Sequence, residues 1–146
     1  MQVSEVLRQK GKKVITVRPE DSINLALDKF TKNSVGLLVV VDELEQVIGV
    51  ISERDILRAA ARDLEALKTL SAGDLMTREV IVGLPEDSLE YVMDLMTMRR
   101  FRHLPIMAQG KLAGIISIGD VVKSRAHHAE VNVRFLSEYI AGQYPV

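Results

Sequence analysis

The chain has 146 residues, 47% of them hydrophobic, with 19 basic and 20 acidic side chains and a formal net charge of −1. That balance argues against a nucleic-acid module, which carries a basic surplus or stripe. The absence of cysteine removes disulfides, thiolate metal sites and cysteine nucleophiles together.

The length suits one compact domain or two very small ones. Aromatic residues make up 4% and tryptophan is absent, so the core must be built from Val, Ile, Leu, Met and Ala. The start, Met1-Gln2-Val3-Ser4-Glu5, has no charged stretch leading into an apolar one, so no signal peptide is expected. Apolar runs fall far short of the about 20 residues a membrane helix needs. The expectation is a cytoplasmic chain with neither membrane nor nucleic acid as partner.

In chain order, a short β-branched run comes first, Val14–Val17. Pro19 and Asp21 then predict a turn, Ser22 a helix N-cap, and Ile23, Leu27 and Phe30 the apolar face of that helix. A buried strand over Leu37–Val41 and a tight polar turn over Asp42–Gln46 lead to a strand over Val47–Ile51. A second helix, capped by Ser52, starts at once, and the Ala/Leu-rich, charged stretch Arg62–Thr69 is expected to continue it. Ser71-Ala72-Gly73-Asp74 is expected to break it.

The pattern then recurs: a strand over Val80–Val82, an N-cap at Ser88, and helical spacing through Leu89, Val92, Met93 and Met96. Strands over Leu104–Met107 and Leu112–Ile116 and a helix capped by Ser117 complete it. Met93, Met96 and Met98 read as core filling. The tail from Val121 to Gly142 is expected to be helical, with Gly142 as its stop.

The repetition is literal in places. Pro19-Glu20-Asp21-Ser22 returns as Pro85-Glu86-Asp87-Ser88 at an offset of 66. Gly49-Val50-Ile51-Ser52-Glu53-Arg54-Asp55 returns as Gly114-Ile115-Ile116-Ser117-Ile118-Gly119-Asp120 at an offset of 65, the Asp42–Gln46 turn accounting for the lost residue. Two matches in the same order at nearly one offset predict an α/β (α+β) fold of two β-α-β-β-α repeats, 1–70 and 71–146, with a C-terminal helix. About fifty residues bury too little surface to stand alone, so the copies are expected to pack as a pseudo-twofold pair with a cleft between them.

Ser52-x-x-Asp55 and Ser117-x-x-Asp120 lie where a strand passes into a helix. A helix N-terminus attracts anions, a serine hydroxyl can donate to a phosphate, and an aspartate can accept from both hydroxyls of a ribose. Together they suggest a nucleotide. The same spacing is that of a capping box, and a single copy reads more readily as a cap; two copies in a symmetric pair shift the reading toward function. Arg99-Arg100-Phe101-Arg102-His103-Leu104-Pro105 adds three arginines and a histidine to copy two, where copy one has the uncharged Asn33-Ser34-Val35-Gly36-Leu37. Arg99 and Arg100 fit a solvated helix end, whereas Arg102 and His103 are candidates for phosphate contact. Gly36 suggests close backbone approach, to the partner copy or to a ligand.

Other chemistry fails. No P-loop or Gly-x-Gly-x-x-Gly pattern is present, adjacent His127 and His128 are poor metal geometry on a helix, and no general base stands out.

With its repeat and its Gly-x-Ile-Ser-x-x-Asp junctions, the chain resembles a tandem pair of cystathionine β-synthase (CBS) domains, a Bateman module. Lys10-Gly11, Ser52-Glu53-Arg54-Asp55, Arg102-His103-Leu104-Pro105-Ile106, Gly114–Asp120 and Glu138-Tyr139-Ile140-Ala141-Gly142 are similar to the small stand-alone CBS-pair proteins of bacteria and plant organelles. The resemblance implies a regulatory, energy-sensing module, not an enzyme, that needs no cofactor or metal. Its clefts would take an adenine nucleotide, AMP first, then ADP, ATP or NAD. S-adenosylmethionine is the rival ligand and a ligand-free interaction protein the rival reading.

By the resemblance, Asp55 and Asp120 would hold ribose, and Ser52 and Ser117 phosphate or ribose, with Gly119 in the second junction. Thr16, Gly36 and Leu37 would line adenine on one side, and Val80, Ile81, Leu104 and Pro105 on the other. Arg54, Arg102 and His103 would meet phosphate. The resemblance also implies a flat homodimer and a separate protein target. The more basic second copy is expected to make the clefts unequal.

Overall fold

The computed structural model describes residues 1–127 and residue 134. Copy one contains α1 (Val3–Lys10), β1 (Thr16–Val17), α2 (Ile23–Asn33), β2 (Leu37–Val41), β3 (Val47–Ser52), α3 (Glu53–Arg62) and a 3₁₀ turn over Glu65–Lys68. Copy two contains α4 (Ala72–Leu75), α5 (Leu89–Arg99), β4 (His103–Ala108) and β5 (Lys111–Ser117), then α6, helical over 118–127. The α/β class and the repeat are as expected. The remainder of the expected Val121–Gly142 helix lies outside the described residues, residue 134 aside.

The repeat is visible in backbone detail. Ser22 and Ser88 accept from the amides of Leu25 and Tyr91, and both helices end on a left-handed residue, Ser34 and Arg100. β1, β2 and β3 form a sheet in that order, β1 parallel and β3 antiparallel to β2. β4 and β5 form the second, antiparallel, sheet. Its two-residue turn puts Gln109 and Gly110 both at positive φ, which a mirror-image hairpin turn requires.

The expected Val14–Val17 strand shrinks to Thr16–Val17, and the expected Val80–Val82 strand is absent; Gly83 alone bridges to Ile106. Gly83 falls where copy one has Val17, and a Cβ there would lie 2.8 Å from Leu104 Cδ2 and 3.0 Å from Ile106 Cδ1. Copy two fills with Leu104 and Ile106 of β4 the space copy one fills from β1. A strand without a side chain to pack is weak.

β2 is buried along its whole length because both its faces are covered. Leu38 and Val40 join Ile23, Ala26, Phe30, Ile51 and Ile56 under the helices of copy one. Leu37, Val39 and Val41 turn the other way and meet Ile115 of copy two. A run of five apolar residues is the sequence form of such a strand.

The leading helices change partners. The amides of Val3 and Ser4 donate to the carbonyls of Asp87 and Pro85, and those of Ala72 and Gly73 to Asp21 and Pro19. Val3, Val6 and Leu7 therefore lie in the core of copy two with Leu89, Val92, Met96, Leu104, Ile106, Ile116 and Val121, while Ala72 lies in that of copy one. Three expectations change with this. Ser71–Asp74 does interrupt the chain but opens α4, with Ser71 as its N-cap in a capping box. Arg62–Thr69 does not continue α3, which stops at Arg62. In the apolar faces, Leu27 is 40% and Met98 79% exposed, so neither is core.

Candidate functional site

Both Ser-x-x-Asp junctions close on themselves. At the start of α3, Ser52 N donates to Asp55 Oδ2 at 2.8 Å, Ser52 Oγ donates to the same oxygen at 3.0 Å, and Asp55 N donates to Ser52 Oγ at 3.3 Å. At the start of α6, Ser117 N donates to Asp120 Oδ2 at 2.8 Å and Asp120 N to Ser117 Oγ at 3.1 Å. The cap is real in both copies. Every one of these carboxylate bonds falls on Oδ2; among the described residues none falls on Oδ1 of either aspartate. In each copy one carboxylate oxygen serves the cap and the other is left without a hydrogen bond and not fully buried, so capping and ligand binding are compatible.

Strand register gathers these groups. Leu37 pairs with Ser52 and His103 with Ser117, which puts the first residue of each copy's second strand beside the serine that starts its helix. Gly36 lies directly against the His103 ring: a Cβ on Gly36 would be 2.8 Å from Cε1 and 2.9 Å from Nε2. The close approach expected at Gly36 is therefore to the partner copy. The Ile118 amide donates to the Arg102 carbonyl at 2.8 Å, tying the start of α6 to the start of β4.

The charges at this junction act on one another. Burial, and then the Lys10 ammonium, hold the His103 imidazole below its ordinary 6.5, against the opposing pull of Asp120 and Glu53; Arg102 adds to the lowering. Burial would raise Asp120, but the hydrogen bonds from Lys10 and Ser117 and the Lys10 charge outweigh it and hold the carboxyl below its ordinary 3.8. Both shifts have the same sign for stability. The unfolded chain binds more protons as each group titrates, so stability is full at higher pH and is lost on acidification, below 6.5 for His103 and below 3.8 for Asp120. Thermal unfolding followed against pH should show the melting temperature falling just below pH 6.5, and His103→Asn should flatten that window. An unchanged slope in the variant would remove His103 as its cause.

The remaining expected site residues divide. Thr16 is half-buried, and its carbonyl takes a bond from Lys29 Nζ at 2.7 Å. Leu104 is fully buried in the copy-two core, and Leu37 faces the layer between the sheets, so each offers a ligand chiefly its backbone. Pro105 is buried, and its carbonyl accepts the Gly83 amide. Val80 is half-buried, and Ile81 and its neighbour Val82 are exposed apolar side chains. Arg54 and Arg102 are exposed and form no ion pair among the described residues. A Cβ on Gly119 would meet only Ser117 Oγ, at 3.5 Å, so the space over the first turn of α6 is open.

One residue at the site entered the sequence reading only as part of the resemblance, with no site role. Lys10, the last residue of α1, donates to Asp120 Oδ2 at 2.6 Å and to the Ile115 carbonyl at 2.8 Å. The available signal was length: Val3 to Pro19 is three residues longer than the corresponding Ala72 to Pro85, and the extra turn of helix ends in Lys10-Gly11. Among the described residues no cluster of His, Asp or Glu could hold a metal ion, and no helix is long and apolar enough to cross a membrane.

Comparison with known proteins agrees with this architecture. The family model of the CBS domain matches twice, over residues 3–62 and 72–127. A mitochondrial CBS domain-containing protein of Arabidopsis thaliana, CBSX3, is 35% identical over 97% of this chain and 73% of its own length. The crystal structure of a CBS-domain containing protein from Agrobacterium tumefaciens superposes with a TM-score of 0.82 at 40% identity, covering 85% of this chain and 92% of that one. The CBS domain pair of protein MJ0100, solved with 5'-methylthioadenosine and S-adenosyl-L-methionine, shares the fold: TM-score 0.78 at 23% identity, over 88% of this chain and 98% of that one.

Proposed function

The chain belongs to the CBS-domain family as a tandem pair, and we propose that its two clefts bind adenine nucleotides, AMP first among them, as a regulatory sensor without catalysis. The observation that carries this reading is the unbonded Oδ1 of Asp55 and of Asp120, each at a helix N-terminus and each left over after its capping box is complete. An acceptor beside free helix amides suits a ribose diol next to a phosphate. The exposed Ile81 and Val82 supply an apolar face for a base, and Arg54, Arg102 and His103 lie at the neighbouring helix and strand starts for phosphate. That another CBS pair holds adenosine compounds supports the size of ligand the fold admits; the choice of nucleotide rests on this chain's own charges. ADP, ATP and NAD are the other nucleotides of this reading. A homodimer of pairs and a separate protein target would carry the signal onward, because a ligand shifts such a module only through its differential affinity for two states.

Calorimetric titration of protein stripped of co-purified ligand is the test. AMP should bind at two sites, and Asp55→Ala and Asp120→Ala should each remove one. Asp55→Ala should lose only about 1 kcal/mol of stability from its cap, and Asp120→Ala more, because it also removes the Lys10 pair. If AMP, ATP, NAD and S-adenosylmethionine all fail to bind, the reading is wrong. The completeness of the two capping boxes favours a second reading, an interaction module with empty clefts. Under it, nucleotide leaves the melting temperature unchanged, whereas a ligand at a hundredfold its Kd stabilises by about 2.7 kcal/mol.

A further inference from the structure

We infer that Lys10 is the specificity-determining residue of the Asp120 cleft, selecting adenosine ligands with an anionic 5' group over those carrying a sulfonium cation, and that the Asp55 cleft has no such selector. The inference rests on the nucleotide reading above and adds which ligand class each cleft prefers.

Lys10 reaches the second cleft from the first copy. Its helix docks on copy two through Val3, Val6 and Leu7, and its ammonium sits 2.6 Å from Asp120 Oδ2 and 2.8 Å from the Ile115 carbonyl. Any ligand group accepted by the other oxygen of that carboxylate therefore lies within a few ångströms of a positive charge. The pair is about a quarter to a third exposed, so the field is only partly screened. Burial and Lys10 disfavour the protonated imidazole of His103, which is of the same sign as Lys10 and could not balance it. Arg102 adds to the positive side; Glu53, from the other copy, is the opposing group.

At the pseudosymmetric place in the first cleft the chain is built differently. α4 is shorter, and the Thr77 backbone amide donates to the Val50 carbonyl at 2.8 Å where Lys10 Nζ takes Ile115. Met76 lies beside it, against Gly49. Among the described residues Asp55 has no ion-pair partner. A backbone amide satisfies the same carbonyl without a formal charge, so the first cleft keeps its aspartate uncompensated and is the one tolerant of a cation.

The experiment reads the second cleft alone, in the Asp55→Ala background, by titration with AMP and with S-adenosylmethionine. With Lys10 present, AMP should bind the tighter. Lys10→Met should shift the ratio of the two affinities toward the cation by about tenfold or more, as loss of one close charge predicts, and Lys10→Arg should keep it. Lys10→Gln, neutral and polar, serves as the second neutral variant should Met perturb the helix end. A ratio that does not move in either neutral variant overturns the inference and leaves the nucleotide reading standing. Failure of both ligands to bind the Asp55→Ala protein overturns the inference alone; failure of AMP, ATP, NAD and S-adenosylmethionine to bind the parent protein overturns the nucleotide reading with it.

Discussion

Replacing Leu7 by alanine is expected to cost about 2–5 kcal/mol, the range for deleting a leucine whose cavity cannot collapse. Leu7 is 3% exposed, and it lies in the core of copy two although it precedes copy one in sequence. Its Cδ2 lies 2.7 Å from where a Cβ of Gly114 would be, so side chain and strand are already in contact. The walls around it, α5, β4 and β5, are themselves packed and cannot close over the gap. Because α1 is anchored to copy two by Val3, Val6 and Leu7 and carries Lys10 one turn further on, the variant should also loosen the Lys10–Asp120 pair. At about 2–4 °C per kcal/mol for a chain of this size, the melting temperature should fall by about 4–20 °C. Leu57→Ala, on the exposed side of α3, is the control and should stay within about 0.5 kcal/mol of the parent. Urea unfolding measures both. A Leu7 variant as mild as Leu57→Ala would mean that α1 does not belong to the second core.

The sequence showed the repeat because its signals are local: a proline, an N-cap serine, and a glycine ahead of the strand–helix junction all recur at nearly fixed offsets. The β2 run was legible for a related reason, since five apolar residues rich in valine and followed by a polar turn suit a strand covered on both faces. What escaped depended on partners far away in sequence. α1 and α4 were not foreseen, because the apolar face of each is completed by the opposite copy and neither is long enough to declare itself alone. Val80–Val82 has strand-like composition, yet Gly83 beside Leu104 and Ile106 removes the packing a strand needs. Met98 has the composition of core but falls on the exposed side of α5. At the site, the residue types at the two junctions could be read, and the cap and the ligand reading competed for them. Only the atom-level sharing, Oδ2 taken by the cap and Oδ1 left over, lets both stand. Lys10 was hidden because its partner is 110 residues away.

Gly49→Ala is expected to damage the protein more than Gly114→Ala, although the two glycines are counterparts in the repeat. The three atoms nearest a Cβ at Gly114 all belong to the Leu7 side chain, with Cδ2 at 2.7 Å. A Cβ at Gly49 would lie 2.6 Å from Met76 Sδ and also 2.9 Å from the Thr77 carbonyl. That carbonyl cannot step aside cheaply, because Thr77 and Val50 exchange two backbone hydrogen bonds, at 2.8 and 3.0 Å. Overpacking against a side chain costs about 1–3 kcal/mol; adding a displaced backbone bridge brings Gly49→Ala to about 2–4 kcal/mol. Second substitutions separate the causes. Gly114→Ala with Leu7→Ala should cost less than the sum of the singles, with a coupling of about 1–2 kcal/mol, since the smaller residue vacates the space the new methyl needs. Met76→Ala should recover little of Gly49→Ala, because the carbonyl remains. Equal recovery in the two cycles would show that Thr77 is free to move. The asymmetry has one origin with the ligand preference drawn above. In the first copy the third strand is met by backbone, Thr77 on Val50; in the second it is met by a side chain, Lys10 on Ile115. Backbone makes the first junction intolerant of a methyl group, and the lysine makes the second junction charged.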